Sequence, residues 1–115
     1  GKNESRRSDV IKGPTEIVAA EIKVDTTQLV TAYGQACAYR LFCHRSYLVI
    51  PRQVNADEIA RLDALCEISG VGLVTFDAED PKVPSFLLLV RPRSQQPDLF
   101  YTNRYLALIE RELFA

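Results

Sequence analysis

The chain has a single histidine and three cysteines, Cys37, Cys43 and Cys66, an odd number without metal-type spacing. A zinc centre is thereby nearly excluded. The cysteines read as small buried apolar residues of a reducing, cytoplasmic compartment, not as a disulfide framework. Long apolar runs are missing too. Phe86 to Val90 is as long as any, far short of the roughly 20 residues a membrane-spanning helix needs. The N-terminal segment is polar without an apolar h-region, so no secretory signal is expected. A Gly-rich phosphate loop and a Ser-His-Asp set are both absent, which leaves nucleotide-binding and triad-hydrolase readings without support. Neither internal repeats nor low-complexity tracts interrupt the chain.

What is present is an ordinary globular mixture: 115 residues, 47% hydrophobic and 25% charged. That is room for one domain, and it excludes a disordered tail, a collagen-like repeat and a coiled coil. The net charge is −1, but its distribution is uneven. Thr26 to Arg52 holds three basic residues and no acidic one, while Gln53 to Val90 holds two basic and seven acidic. A stretch kept free of carboxylates suits an anionic partner.

Residues 1–8 are polar and expected to fray. Asp9 to Lys12 reads as a short strand, Gly13-Pro14-Thr15 as a turn, and Glu16 to Val24 as a longer strand, together a β-hairpin. Asp25-Thr26-Thr27 offers N-cap oxygens for a helix reaching about Cys43, with Leu29, Ala32, Ala36, Tyr39 and Cys43 on one stripe. Ser46 to Ile50 is a continuously apolar strand between two helices, so Tyr47 to Ile50 are all expected to be buried. Asn55 or Ala56 opens a second helix that Gly70 closes. Val71 to Phe76 and Ser85 to Val90 are strands around an acidic turn, and 99–114 is a third helix striped by Leu106, Ile109 and Leu113. The order β-β-α-β-α-β-β-α predicts an α/β fold, a mixed β-sheet flanked by helices.

The hairpin carries the chemistry. Residues two apart in a strand share a face, so Val18, Ala20, Ile22 and Val24 form an apolar face, expected to be the core side. Glu21 and Lys23 then stand side by side on the other. Asp9 precedes the turn by about as many residues as Glu21 follows it, which sets two carboxylates together across the ladder. Such a pair repels unless a cation lies between. A hard Mg²⁺ or Mn²⁺ ion would be held by Asp9, Glu21 and the Ile22 carbonyl, with Lys23 orienting or deprotonating a water. The bland alternative is an exposed Glu-x-Lys pair of no consequence. Gln35 and Tyr39, four apart on the following helix, are neighbours placed to reach back over the strand; otherwise they are a solvated amide and a core aromatic.

Asp9, then Glu21-Ile22-Lys23, then Gln35-x-x-x-Tyr39 ahead of the strand SYLVI resembles the PD-(D/E)xK nuclease superfamily, with its restriction-endonuclease-like fold. The Gln-x-x-x-Tyr element is similar to that of the RecB-type branch. The resemblance spans roughly residues 9–91 and leaves the C-terminal helix outside. It implies Mg²⁺ on the aspartate and glutamate, an assisting Lys23, an accessory Gln35 and Tyr39, and phosphodiester hydrolysis in DNA. Two departures stand out: no proline precedes Asp9, since residue 8 is Ser, although that proline is often absent from the family, and the family's first helix and strand are missing, as in a domain cut from a longer protein.

Arg6, Arg7, Lys12, Arg40 and Arg45 are candidate phosphate contacts, although Arg40, like His44, equally suits a helix C-terminus. Two rivals to the enzyme are a catalytically inactive relative serving DNA binding or assembly, and a structural subunit, for instance a homodimer, whose partner covers an open sheet edge.

Overall fold

The computed structural model describes residues 16–77, 79, 82–98, 103, 104, 107, 108 and 111. Along the chain these form β1 (Val18–Ile22), α1 (Leu29–Ala38) running into a 3₁₀ turn (Tyr39–Leu41), β2 (Arg45–Pro51), α2 (Ala56–Ser69), β3 (Gly72–Asp77) and β4 (Ser85–Val90). The strands make one mixed sheet in the order β1-β2-β3-β4. β1 and β3 each pair parallel to β2, and β4 pairs antiparallel to β3. The α/β class is as expected. The strand expected at 9–12 and the turn at 13–15 lie outside the described residues. Residues 103, 104, 107, 108 and 111, within the helix expected at 99–114, are helical; its stripe of Leu106, Ile109 and Leu113 lies outside.

α2 follows its sequence signals. The Asn55 side chain accepts the Glu58 N–H at 2.8 Å, Asp57 and Glu58 sit in the first turn, and Gly70 closes the helix at φ 83°. Its orphan carbonyls are capped from elsewhere in the chain. Arg40 donates to the Gly70 carbonyl at 2.9 Å, and Arg93 donates to those of Glu67 and Ile68 at 2.6 and 2.7 Å. These cations complement the negative end of the helix.

α1 departs from expectation at both ends. Its N-cap is Gln28, at φ 54° and with no side-chain cap bond. Asp25 instead closes its own turn, accepting the Thr27 N–H at 3.0 Å and the Thr27 hydroxyl at 2.9 Å. The helix ends at Ala38 and tightens into the 3₁₀ turn well before Cys43.

Both parallel crossovers step the same way across the sheet, so right-handed connections put α1 and α2 on one face. The core lies there. Leu29, Ala32 and Ala36 of α1 and Leu62 and Cys66 of α2 cover Leu48 and Ile50 of β2 and Leu73 of β3. This overturns two expectations. In β2 only Ser46, Leu48, Ile50 and Pro51 are buried, whereas Tyr47 and Val49 are half-buried on the opposite face. In β1 the apolar residues point away from the core: Val18 is 54% and Ile22 61% exposed, and Val24 beyond the strand is 83%. Glu21, paired in register with the fully buried Leu48, rises on the helix-covered face instead. Strand alternation reports two faces, but only the crossovers decide which one the helices cover.

Candidate functional site

The C-terminal end of β1 faces α1 and the 3₁₀ turn that follows it. Gln35 and Tyr39 lie four residues apart, on one side of the helix and its 3₁₀ extension. Both reach Glu21. The Tyr39 hydroxyl donates to Glu21 Oε1 at 2.6 Å. The Gln35 amide nitrogen, in the orientation the hydrogen-bond network demands, lies 2.8 Å from Oε2 and 3.1 Å from Oε1. A carboxylate on a helix-covered face is tolerable only when its oxygens are satisfied, and bonds to an ionised acceptor are the stronger kind. Three of the residues singled out in the sequence are thus brought together.

Lys23 follows β1, its N–H donating to the Val49 carbonyl at 2.9 Å. Its ammonium lies 3.3 Å from Asp25 Oδ1, with the lysine side chain 21% exposed and the aspartate 57%. The Thr27 N–H and hydroxyl, and then Lys23, hold the Asp25 carboxyl below the usual carboxylate range. A depressed carboxyl contributes stability above its ordinary range, and that contribution is lost as the pH falls through it. The ionised Asp25 carboxylate thus lies beside the Lys23 ammonium at neutral pH.

A cavity of about 190 Å³ opens here, lined by Glu21, Lys23, Gln28, Thr31, Ala32 and Gln35. Sequence reasoning missed Gln28 and Thr31. Thr31 had a legible signal, since it precedes Gln35 by one helical turn. Gln28 had none, because a left-handed glutamine leaves no mark in composition or spacing.

Alternate strand carbonyls point to opposite edges. Because the Lys23 N–H faces β2, the Ile22 carbonyl points off the outer edge of β1. Asp9 lies outside the described residues, as do Arg6, Arg7 and Lys12. Among the described residues no group of three or more His, Cys, Asp or Glu side chains converges as a metal cage. The Glu21 carboxylate and a strand carbonyl are nevertheless hard oxygen donors, of the kind Mg²⁺ uses when it keeps several waters and takes one or two carboxylates.

The other basic candidates serve the fold. Arg40 donates to the Gly70 and Arg93 carbonyls at 2.9 and 3.0 Å and to Gln95 Oε1 at 2.8 Å. Arg45 pairs with Glu16. His44 Nδ1 accepts the Ile17 N–H at 3.0 Å, which pins the lead-in to β1. Arg45 and His44 stand at the start of β2, the end of the sheet away from Lys23.

Fold and site together define a class: an α/β protein with a four-stranded mixed sheet, two helices on one face, and a polar cavity centred on a hydrogen-bonded carboxylate. No protein-family model, curated protein or solved structure matches the chain. Among the described residues no helix is long and apolar enough to cross a membrane.

Proposed function

We propose that the chain is a metal-dependent nuclease, or nuclease-like domain, hydrolysing phosphodiester bonds in DNA on a restriction-endonuclease-like fold. The observation that carries this reading is the convergence of Gln35 and Tyr39 on Glu21, with Lys23 two residues further along the same face of the chain. The β-α-β-α-β-β order supports the fold assignment.

Glu21 and the Ile22 carbonyl are the ligands this chain offers from its described residues, with Asp9 as the proposed third. A divalent ion held there supplies Lewis acidity and an activated water. Gln35 and Tyr39 lock the Glu21 carboxylate in one orientation, so that no reorganisation is needed when substrate arrives. Lys23 holds its ammonium beside the cavity. Its pairing with a largely exposed Asp25 is weak, so exchange of that carboxylate for a phosphate oxygen costs little. Gln28 and Thr31 add polar donors to the wall.

Calorimetric titration with Mg²⁺ or Mn²⁺ and a DNA-cleavage assay test this directly. Wild type should bind the ion and cleave. Glu21→Gln, which keeps the side-chain shape, should lose ion binding. Lys23→Ala should keep it, while cleavage falls by roughly 10²–10³, the usual cost of removing one donor aimed at developing charge. Ion binding without cleavage of single- or double-stranded DNA would favour the second reading, an inactive binding or assembly module. One observation favours assembly over DNA binding within that second reading: Arg40 and Arg45, two of the candidate phosphate contacts, are held by protein acceptors.

A further inference from the structure

The face of the sheet opposite α1 and α2 is apolar across all four strands. In register it presents Val18 and Ile22 of β1, Tyr47 and Val49 of β2, Val74 and Phe76 of β3, and Phe86 and Leu88 of β4. Val18 is 54% exposed, Ile22 61%, Phe86 65% and Leu88 44%, and the two central strands are only half-buried on this side. Sheets joined through helical crossovers are normally covered on both faces. Among the described residues no helix or strand covers this one; only Pro92 reaches its rim, against Gly72 and the Tyr47 ring.

We propose that this face docks a second copy of the chain, two sheets packing face to face about a two-fold axis. Three features favour a copy over another occupant. A two-fold interface must be complementary to itself, and the middle of this face carries no charge that self-association would oppose. Arg45, at its corner, is already neutralised by Glu16. The pleated side chains of four adjacent strands are also the shape that a second sheet interdigitates with, at about 10 Å separation. Finally, four strands about 4.8 Å apart and five or so residues long give a footprint of roughly 19 by 17 Å. With side-chain relief on both copies, on the order of 1,200 Å² leaves water, the lower bound of a specific interface. The Glu21 cavity lies on the opposite face, so docking leaves both copies of it open.

The test is sedimentation equilibrium of the full chain from about 1 to about 200 µM, the range over which a micromolar dimer at the small end of interface sizes dissociates. The wild-type mass should rise with concentration from 12.9 kDa to twice that value. Val18→Glu and Phe86→Glu lie on the two outer strands at half-exposed positions, so each should fold. Each should weaken the dimer by about 100-fold or more, because docking would bury an unpaired carboxylate. Ile68→Glu, at a 77% exposed apolar position on α2, is the control and should leave the dimer unchanged. A wild type that stays monomeric throughout overturns the proposal, including the case in which hydrogen exchange shows the chain's own termini protecting this face. So does a dimer indifferent to Val18→Glu and Phe86→Glu.

Discussion

The Tyr39–Glu21 bond is where one side chain decides the geometry of the candidate site. Tyr39→Phe removes the donor and keeps the ring, whose packing on Phe42 (centroids 5.8 Å apart) should survive. The expected loss is about 1 kcal/mol, measured as a lower urea midpoint, since the bond is part-buried and charge-assisted. In a double-mutant cycle with Glu21→Gln, the second substitution should cost much less than it does alone; strictly additive costs would show that the pair is not coupled. The thiols separate in the same way. Burial pushes Cys43 up, and burial, with Cys37, Asp63 and Glu67 nearby, pushes Cys66 up to about 12. At pH 8 a thiol-reactive probe should label half-buried Cys37 first and reach the other two only on unfolding, because the thiolate is the nucleophile. Equal labelling of all three in the native state would show that α1 and α2 do not pack as described. The site quartet was legible because its spacings are local: two residues in a strand, four in a helix. The partners of Arg40 were not, since Gly70, Arg93 and Gln95 lie 30 to 55 residues away.

Elements differ in how much of themselves they announce. α2 declares both ends, with Asn55 three residues before Glu58 and Gly70 after the last turn. α1 has equally good N-cap residues in Asp25, Thr26 and Thr27, yet starts later, because Asp25 is spent on its own turn and on Lys23. In β1 the alternation is read correctly and its meaning reversed. Val18, Ala20 and Ile22 are the apolar face, but helix α1 lies over Ala19 and Glu21, where two small alanines, Ala32 and Ala36, let it approach. The C-cap gives a prediction at this scale. Gly70 sits at φ 83°, and an added Cβ would stand 3.0 Å from Arg40 Nη2 and 3.2 Å from Arg93 Nε. Gly70→Ala should therefore destabilise the chain by about 1–2 kcal/mol, from the left-handed backbone together with displacement of both capping arginines. A thermal melt of the variant measures it, and an unchanged midpoint would mean the arginines yield without loss.

At the scale of the whole molecule, the architecture makes one asymmetric claim: a single core, on one side of one sheet. Leu48 and Val49 are adjacent in β2, the second strand of four, and share its backbone environment, but their side chains leave on opposite faces. Leu48 is fully buried beneath the helices, while Val49 is half-buried on the apolar face. In dilute protein, below any self-association, Leu48→Ala should cost about 2–5 kcal/mol, the range for emptying a packed core position. Val49→Ala should cost less, about 1–2 kcal/mol, since that half-buried side chain still meets water and the cavity it leaves opens to solvent. Urea unfolding of both variants at one low concentration makes the comparison. Repeating it at high concentration adds a second reading from the same two proteins. If two sheets dock face to face, the cost of Val49→Ala should grow as the dimer forms and that of Leu48→Ala should not, because only the face carrying Val49 gains a partner. Equal costs at both concentrations would instead place a second core on the far side of the sheet within the one chain, and would remove the ground for a dimer along with the one-sided fold.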